Sequence, residues 1–200
     1  MIRVKICGMT RVEDACLAAE LGVDAIGLVF VKRSSRCVSL AQAAEICRAL
    51  PPFVNRVGLF MDQPEADVRA CLAQVRLDWL QFHGSENEAY CAQFGLPWIK
   101  AIAMADGDGS WAQYGQADAL LLDSHASGEL GGSGKVFDWT RVPRLGRPWI
   151  LAGGLNPDNV AQACRQLGPA GVDVSSGVEV SPGIKDGKLM RRFMEALKHG

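Results

Sequence analysis

Eight short apolar runs punctuate the chain, at residues 4–7, 25–30, 56–60, 79–82, 98–103, 119–122, 149–152 and 171–174. Most are continuously apolar rather than alternating, the pattern of parallel strands buried on both faces. Helical periodicity fills the gaps. Val68, Cys71, Leu72 and Val75 keep an i, i+3, i+4, i+7 spacing, and so do Val160, Ala163, Cys164 and Leu167, then Met190, Phe193, Met194 and Leu197. Start signals agree with these boundaries: Thr10 with Glu13 as a capping box, Ser39 before Leu40, Asp62 with Pro64, Ser85 with Glu88, and Asn156 with Pro157.

Strand–helix units recurring roughly every 24 residues predict an α/β fold, a single-domain (β/α)8 TIM barrel over residues 1–200. An open doubly wound sheet shares the alternation, but a count of eight favours closure. The fifth unit, around Ala105-Asp106-Gly107-Asp108-Gly109, leaves room for only a short helix. The glycine-rich stretch 124–135 reads as a long mobile loop.

Composition narrows the function classes. The chain is 48% hydrophobic and 22% charged with a net charge of −1, so no basic surface advertises nucleic acid or an anionic membrane. No apolar stretch reaches spanning length, and Met1-Ile2-Arg3-Val4 opens a strand rather than a signal peptide. Seven scattered cysteines without a CxxC pair, and only three histidines, exclude a disulfide framework and a compact zinc site. They suit a reducing, cytoplasmic setting.

Barrel chemistry gathers where strands end. Cys7 closes Val4-Lys5-Ile6-Cys7 ahead of a predicted helix start, an address at which a thiol can be held partly as thiolate. Asp123 ends Leu120-Leu121-Leu122-Asp123; a desolvated carboxyl there can serve as an acid, or it can simply cap a turn. Arg36 follows strand two, where a guanidinium fork suits a carboxylate, although any of the basic residues there can be solvated. His83 ends strand four and Asp173 sits inside strand eight; each reads equally as a structural partner. Gly153-Gly154 and Ser176-Gly177 follow adjacent strands, and such turns present main-chain N–H groups to phosphate.

These segments resemble a known family. Lys5-Ile6-Cys7-Gly8-Met9-Thr10, Gln81-Phe82-His83-Gly84 and Leu121-Leu122-Asp123-Ser124 are followed by Gly131-Gly132-Ser133-Gly134-Lys135-Val136-Phe137-Asp138-Trp139. Leu151-Ala152-Gly153-Gly154-Leu155-Asn156-Pro157 and Asp173-Val174-Ser175-Ser176-Gly177-Val178-Glu179 complete a series similar to phosphoribosylanthranilate isomerases of tryptophan biosynthesis. The resemblance implies an Amadori rearrangement with no cofactor and no metal. It implies Cys7 as general base, Asp123 as general acid, and Arg36 on the anthranilate carboxylate. His83 and Asp173 would face substrate, and the two glycine turns would take the phosphate. The implied partner is a small phosphorylated substrate, on a monomer or homodimer. In one place the family pattern is broken: Val31-Lys32-Arg33-Ser34-Ser35-Arg36 lacks the prolines common there. The sister isomerase of histidine biosynthesis would need an aspartate at position 7, and a ribulose-phosphate epimerase would need metal-binding histidines. A silent phosphate-binding barrel would have no use for both Cys7 and Asp123.

Overall fold

The computed structural model describes residues 2–104, 110–124, 142 and 145–198. Eight parallel strands close into a barrel in sequence order: β1 (Arg3–Ile6), β2 (Ala25–Val29), β3 (Asn55–Phe60), β4 (Trp79–Phe82), β5 (Trp98–Ala103), β6 (Ala119–Asp123), β7 (Trp149–Leu151) and β8 (Gly171–Val174). Closure is made by β1 on β8, where Lys5 stands beside Asp173 and Ile6 beside Val174.

The continuous apolar runs are explained by two cores that share each strand. Val57, Ile99, Ala101, Leu121 and Ala152 form one cluster in the barrel lumen. Their strand neighbours, such as Leu80, Phe82, Ile102, Leu120 and Leu122, point outward into a larger core against the helices. The helices are α1 (Val12–Glu20), α2 (Leu40–Ala49), α3 (Glu65–Gln74), α4 (Glu88–Ala92), α5 (Val160–Leu167) and α6 (Gly187–Lys198). The stripes behave as their spacing implies: Val68, Cys71 and Val75 are buried, as are Val160, Ala163 and Cys164, and Met190, Phe193 and Met194. After β5 a short 3-10 turn, Ser110–Gln113, stands in for the fifth helix. The loop expected at 124–135 lies, beyond Ser124, outside the described residues, as does the Gly131 to Trp139 motif.

Only some of the expected caps form. Ser39 and Gln42 make a full reciprocal box. Thr10 does not cap α1, which opens after Arg11; its hydroxyl donates instead to the Gly183 carbonyl, brought over it from the far end of the chain. Asp62 is displaced from its capping place by Pro64 and accepts from the Ser85 amide and hydroxyl. That leaves Asn87, not Ser85, to cap α4 through the Tyr90 amide. Asn156 accepts from the Asp158 and Asn159 amides in the turn that precedes α5. In each exception a tertiary partner outbid the local one.

One element had no forecast. Between β8 and α6 the chain makes a hairpin of β9 (Glu179–Ser181) and β10 (Ile184–Lys185), which folds back over the start of α1.

Candidate active site

A cavity of about 670 Å³, counting its open mouth, lies over the C-terminal ends of the strands. Cys7, Arg36, His83, Asp123 and Asp173 line it, together with Gly153, Gly154 and Ser176. Eight of the nine residues singled out from sequence therefore share one wall. The ninth, Gly177, lies behind it: a Cβ there would come within 1.9 Å of the Leu155 carbonyl oxygen, so only glycine lets the β8 turn approach the β7 turn this closely. Gly153 and Gly154 both have positive φ, 86° and 65°.

Cys7 follows directly on β1, and its amide continues the ladder to the Val174 carbonyl at 2.8 Å. Its side chain lies across Gly27 of β2, where any Cβ would fall 2.6 Å from the sulfur. The thiol's surroundings differ from the sequence expectation. α1 opens only at Val12, and the charges acting on the sulfur come from strand residues. Burial pushes the Cys7 thiol up, Lys5 and Lys185 pull it back, and Asp173 adds to the rise; the net direction is upward. In the free site the sulfur thus keeps its proton at neutral pH.

Lys5 is two residues before Cys7 and so on the same face of β1. Its ammonium donates to Asp173 at 2.8 Å with both side chains buried. Burial depresses the Lys5 ammonium, but Asp173 and Cys7 more than offset this and hold it charged. The Asp173 carboxyl is itself raised by burial, with Lys5 opposing. Asp123 faces His83 at 3.8 Å, and the Gln81 amide reaches His83 Nδ1 at 3.5 Å. Arg36 gives its Nε and Nη2 to Glu179 at 2.9 and 2.7 Å.

Thiol chemistry offers a check on this electrostatic picture. At pH 7.5, iodoacetamide is expected to label the half-buried Cys16 and Cys37 well before Cys7. Because burial raises the Cys7 thiol above its ordinary value of 9.0, its labelling rate should still be climbing beyond pH 9. Cys71 and Cys91, pushed up to about 12, should stay silent. Peptide mass spectrometry reads the order, and a Cys7 that reacts first at neutral pH would contradict it.

Several contributors gave little sign in the sequence. Gln81, 1% exposed, shares the lumen face with His83 at i, i+2, a spacing that could have flagged it. Lys5 bears the same relation to Cys7. Lys185 had no such signal, since only the hairpin fold-back brings it to Cys7, and Glu179, which ends the Asp173 to Glu179 segment, gave no sign that it would pair with Lys185.

Comparison with known proteins decides the family. A family model described as N-(5'-phosphoribosyl)anthranilate (PRA) isomerase matches residues 4–196. The chain belongs to that family. N-(5'-phosphoribosyl)anthranilate isomerase of Acidithiobacillus ferrooxidans is 51% identical over 201 residues, spanning 99% of this chain and 98% of its own. Among solved structures, phosphoribosyl anthranilate isomerase of Thermotoga maritima superposes with a TM-score of 0.89 at 39% identity, covering 100% of both chains. Another, solved in complex with reduced 1-(o-carboxyphenylamino)-1-deoxyribulose 5-phosphate, gives 0.86 at 36% identity over 100% of both chains. Family membership makes this barrel a phosphoribosylanthranilate isomerase, an enzyme of tryptophan biosynthesis. No helix among the described residues is long and apolar enough to cross a membrane.

Proposed function

We propose that the chain converts N-(5'-phosphoribosyl)anthranilate to 1-(2-carboxyphenylamino)-1-deoxyribulose 5-phosphate with Asp123 as general acid and Cys7 as general base. The observation that carries this reading is the shared cavity. Cys7, directly after β1, and Asp123, at the end of β6, open into one space whose rim holds an arginine and two glycine turns.

Asp123 protonates the furanose ring oxygen as the C1–O bond breaks, and the anilino nitrogen's lone pair forms the C1=N iminium. Cys7, as its thiolate, then removes the C2 proton; the C2–H electrons become the C1=C2 double bond of an enolamine as the C1=N π pair returns to nitrogen. Uptake of a proton at C1 and loss of one from the C2 hydroxyl gives the ketone. No redox equivalent is consumed. The acid and base act at different atoms, so their separation on two strands fits the task.

A thiol held up by burial must first release its own proton to solvent before it can act. Lys5 sits within hydrogen-bonding reach of the sulfur, and Lys185 adds a second positive charge. The substrate's own iminium brings a third positive charge at the moment the base is needed, and in a water-poor site such charge counts for far more than in bulk.

The two ends of the substrate are held apart from the reacting carbons. The main chain of Gly153-Gly154 and Ser176-Gly177 takes the phosphate, and Arg36 takes the anthranilate carboxylate. His83 and Asp173 complete the wall facing the sugar. Anchoring both ends fixes C1 and C2 between the acid and the base, the positional advantage of a bound over a free reactant. The test is direct: purified protein should convert freshly made phosphoribosylanthranilate, followed by loss of its fluorescence, with no added metal or cofactor. No turnover above the spontaneous rate would sink the assignment.

A further inference from the structure

Glu179 is the residue of the Val178-Glu179 motif for which the reaction has so far given no use. It lies at the start of β9, and its side chain is 4% exposed. Its carboxylate is shared. Oε1 accepts from Arg36 Nε at 2.9 Å, from Lys185 Nζ at 2.7 Å and from the Gly183 amide at 3.3 Å. Oε2 accepts from Arg36 Nη2 at 2.7 Å. Lys185, whose side chain is fully buried, spends its other protons on the carbonyls of Cys7 at 2.5 Å and Ser175 at 3.3 Å. One carboxylate therefore ties the arginine to the main chain of the proposed base and of the turn that follows β8.

We propose that Glu179 is a positioning residue for substrate: it aims Arg36 at the anthranilate carboxylate and couples that arm to the backbone of Cys7. The inference rests on the reading of Arg36 as the carboxylate ligand. Two features of the geometry support it. Glu179 takes only the Nε/Nη2 edge of the guanidinium, leaving Nη1 without a hydrogen-bond partner among the described residues, and Arg36 is one of the residues that line the cavity. The arginine stem also crosses Gly8, where a Cβ would stand 2.6 Å from Cδ, so main chain and side chain are fitted together beside Cys7. A long, flexible arginine is pre-organised by a buried carboxylate on the opposite side of the closure.

Glutamine at this position is a sharp probe, because both carboxylate oxygens accept from cationic donors. Either orientation of an amide would turn an N–H donor on Arg36 or Lys185. For Glu179→Gln the KM for phosphoribosylanthranilate is expected to rise about 10- to 100-fold, the range for loss of a hydrogen bond to a charged group, with kcat falling much less. A merely structural role would not depend on the substrate's carboxylate. The same variant is therefore assayed on the N-phosphoribosyl derivative of aniline, which lacks that group; there its KM should stay within about twofold of wild type. Combined with Arg36→Met, the KM effect should not add.

An equal KM penalty on both substrates, or full additivity with Arg36→Met, would overturn the inference. If Arg36→Met alone leaves KM for the natural substrate unchanged, the Arg36 reading itself fails, and this inference with it. Should Glu179→Gln fail to fold, Glu179→Asp keeps the charge on a shorter arm. It should display the same carboxylate-dependent split at smaller size, and its absence there would count equally against Glu179.

Discussion

Cys7→Ala and Asp123→Ala should each cut kcat by about 10²- to 10⁴-fold, the range for loss of a general acid or base, while the barrel stays folded. The reasons differ for the two side chains. Removing the Cys7 sulfur takes away no ion pair, since Lys5 stays paired with Asp173. It leaves only a small void above Gly27. The proposed base is gone, however, and the only side chain two residues back along the same face of β1 is the lysine. Removing Asp123 leaves His83 without the carboxylate 3.8 Å away, and takes away the proposed proton donor to the ring oxygen. The two variants should fail at different bonds. Substrate deuterated at C2 should be slowed in the wild type and in Asp123→Ala only as far as proton abstraction limits the rate. Cys7→Ala should retain C2 deuterium after long incubation. Activity within about tenfold of wild type in either variant, with a native circular dichroism spectrum, would reject the role assigned to that residue.

The second large effect concerns stability rather than chemistry. Lys100→Met is expected to destabilise the fold by about 3–5 kcal/mol, the cost of breaking a buried pair from one side. Lys100 is 1% exposed on β5, between Ile99 and Ala101 of the lumen cluster and so on the face that points away from the lumen. Its ammonium donates to the Gly84 carbonyl at 2.5 Å and to Glu86 at 3.2 Å, and it lies 5.3 Å from the centre of the Tyr114 ring. Glu86 in turn accepts from the Asp62 and Gly84 amides at 2.7 and 2.9 Å. Methionine keeps the stem but leaves a carboxylate and a carbonyl buried without their cation. For a chain of this size the melting temperature should fall by roughly 10 °C. The double variant Lys100→Met/Glu86→Leu should recover part of that loss, because the desolvated charge goes with its partner. A single variant that melts within about 2 °C of wild type would refute the argument. The network also fixes the Gly84 turn that follows His83, so Lys100→Met should raise KM as well.

Much of the site was legible because a barrel converts sequence position into spatial position. A residue that ends an apolar run arrives at the mouth whatever its neighbours do, and Cys7, His83 and Asp123 did so. The glycine pairs were legible for a related reason: a turn that must bring main chain close to an anion or to another turn excludes a Cβ, as Gly177 beside Leu155 illustrates. Local signals fared worse where a distant group competed. Thr10, Asp62 and Ser85 all carry good capping chemistry, yet each spends its hydrogen bonds on another segment.

The sequence by itself determined the eight strands of the barrel, their burial on both sides and the address of the proposed acid and base. These follow from periodicity, which is a property of neighbours along the chain. Only the tertiary structure decided the electrical setting of Cys7. The sequence pointed to the helix that follows it, whereas in the folded chain Lys5 of the same strand meets Asp173, which the β1–β8 closure brings alongside, and Lys185 arrives through the hairpin. Lys185 is 178 residues away, and no periodicity links residues so far apart. Charge acts through distance in space, and that distance exists only once the barrel has closed.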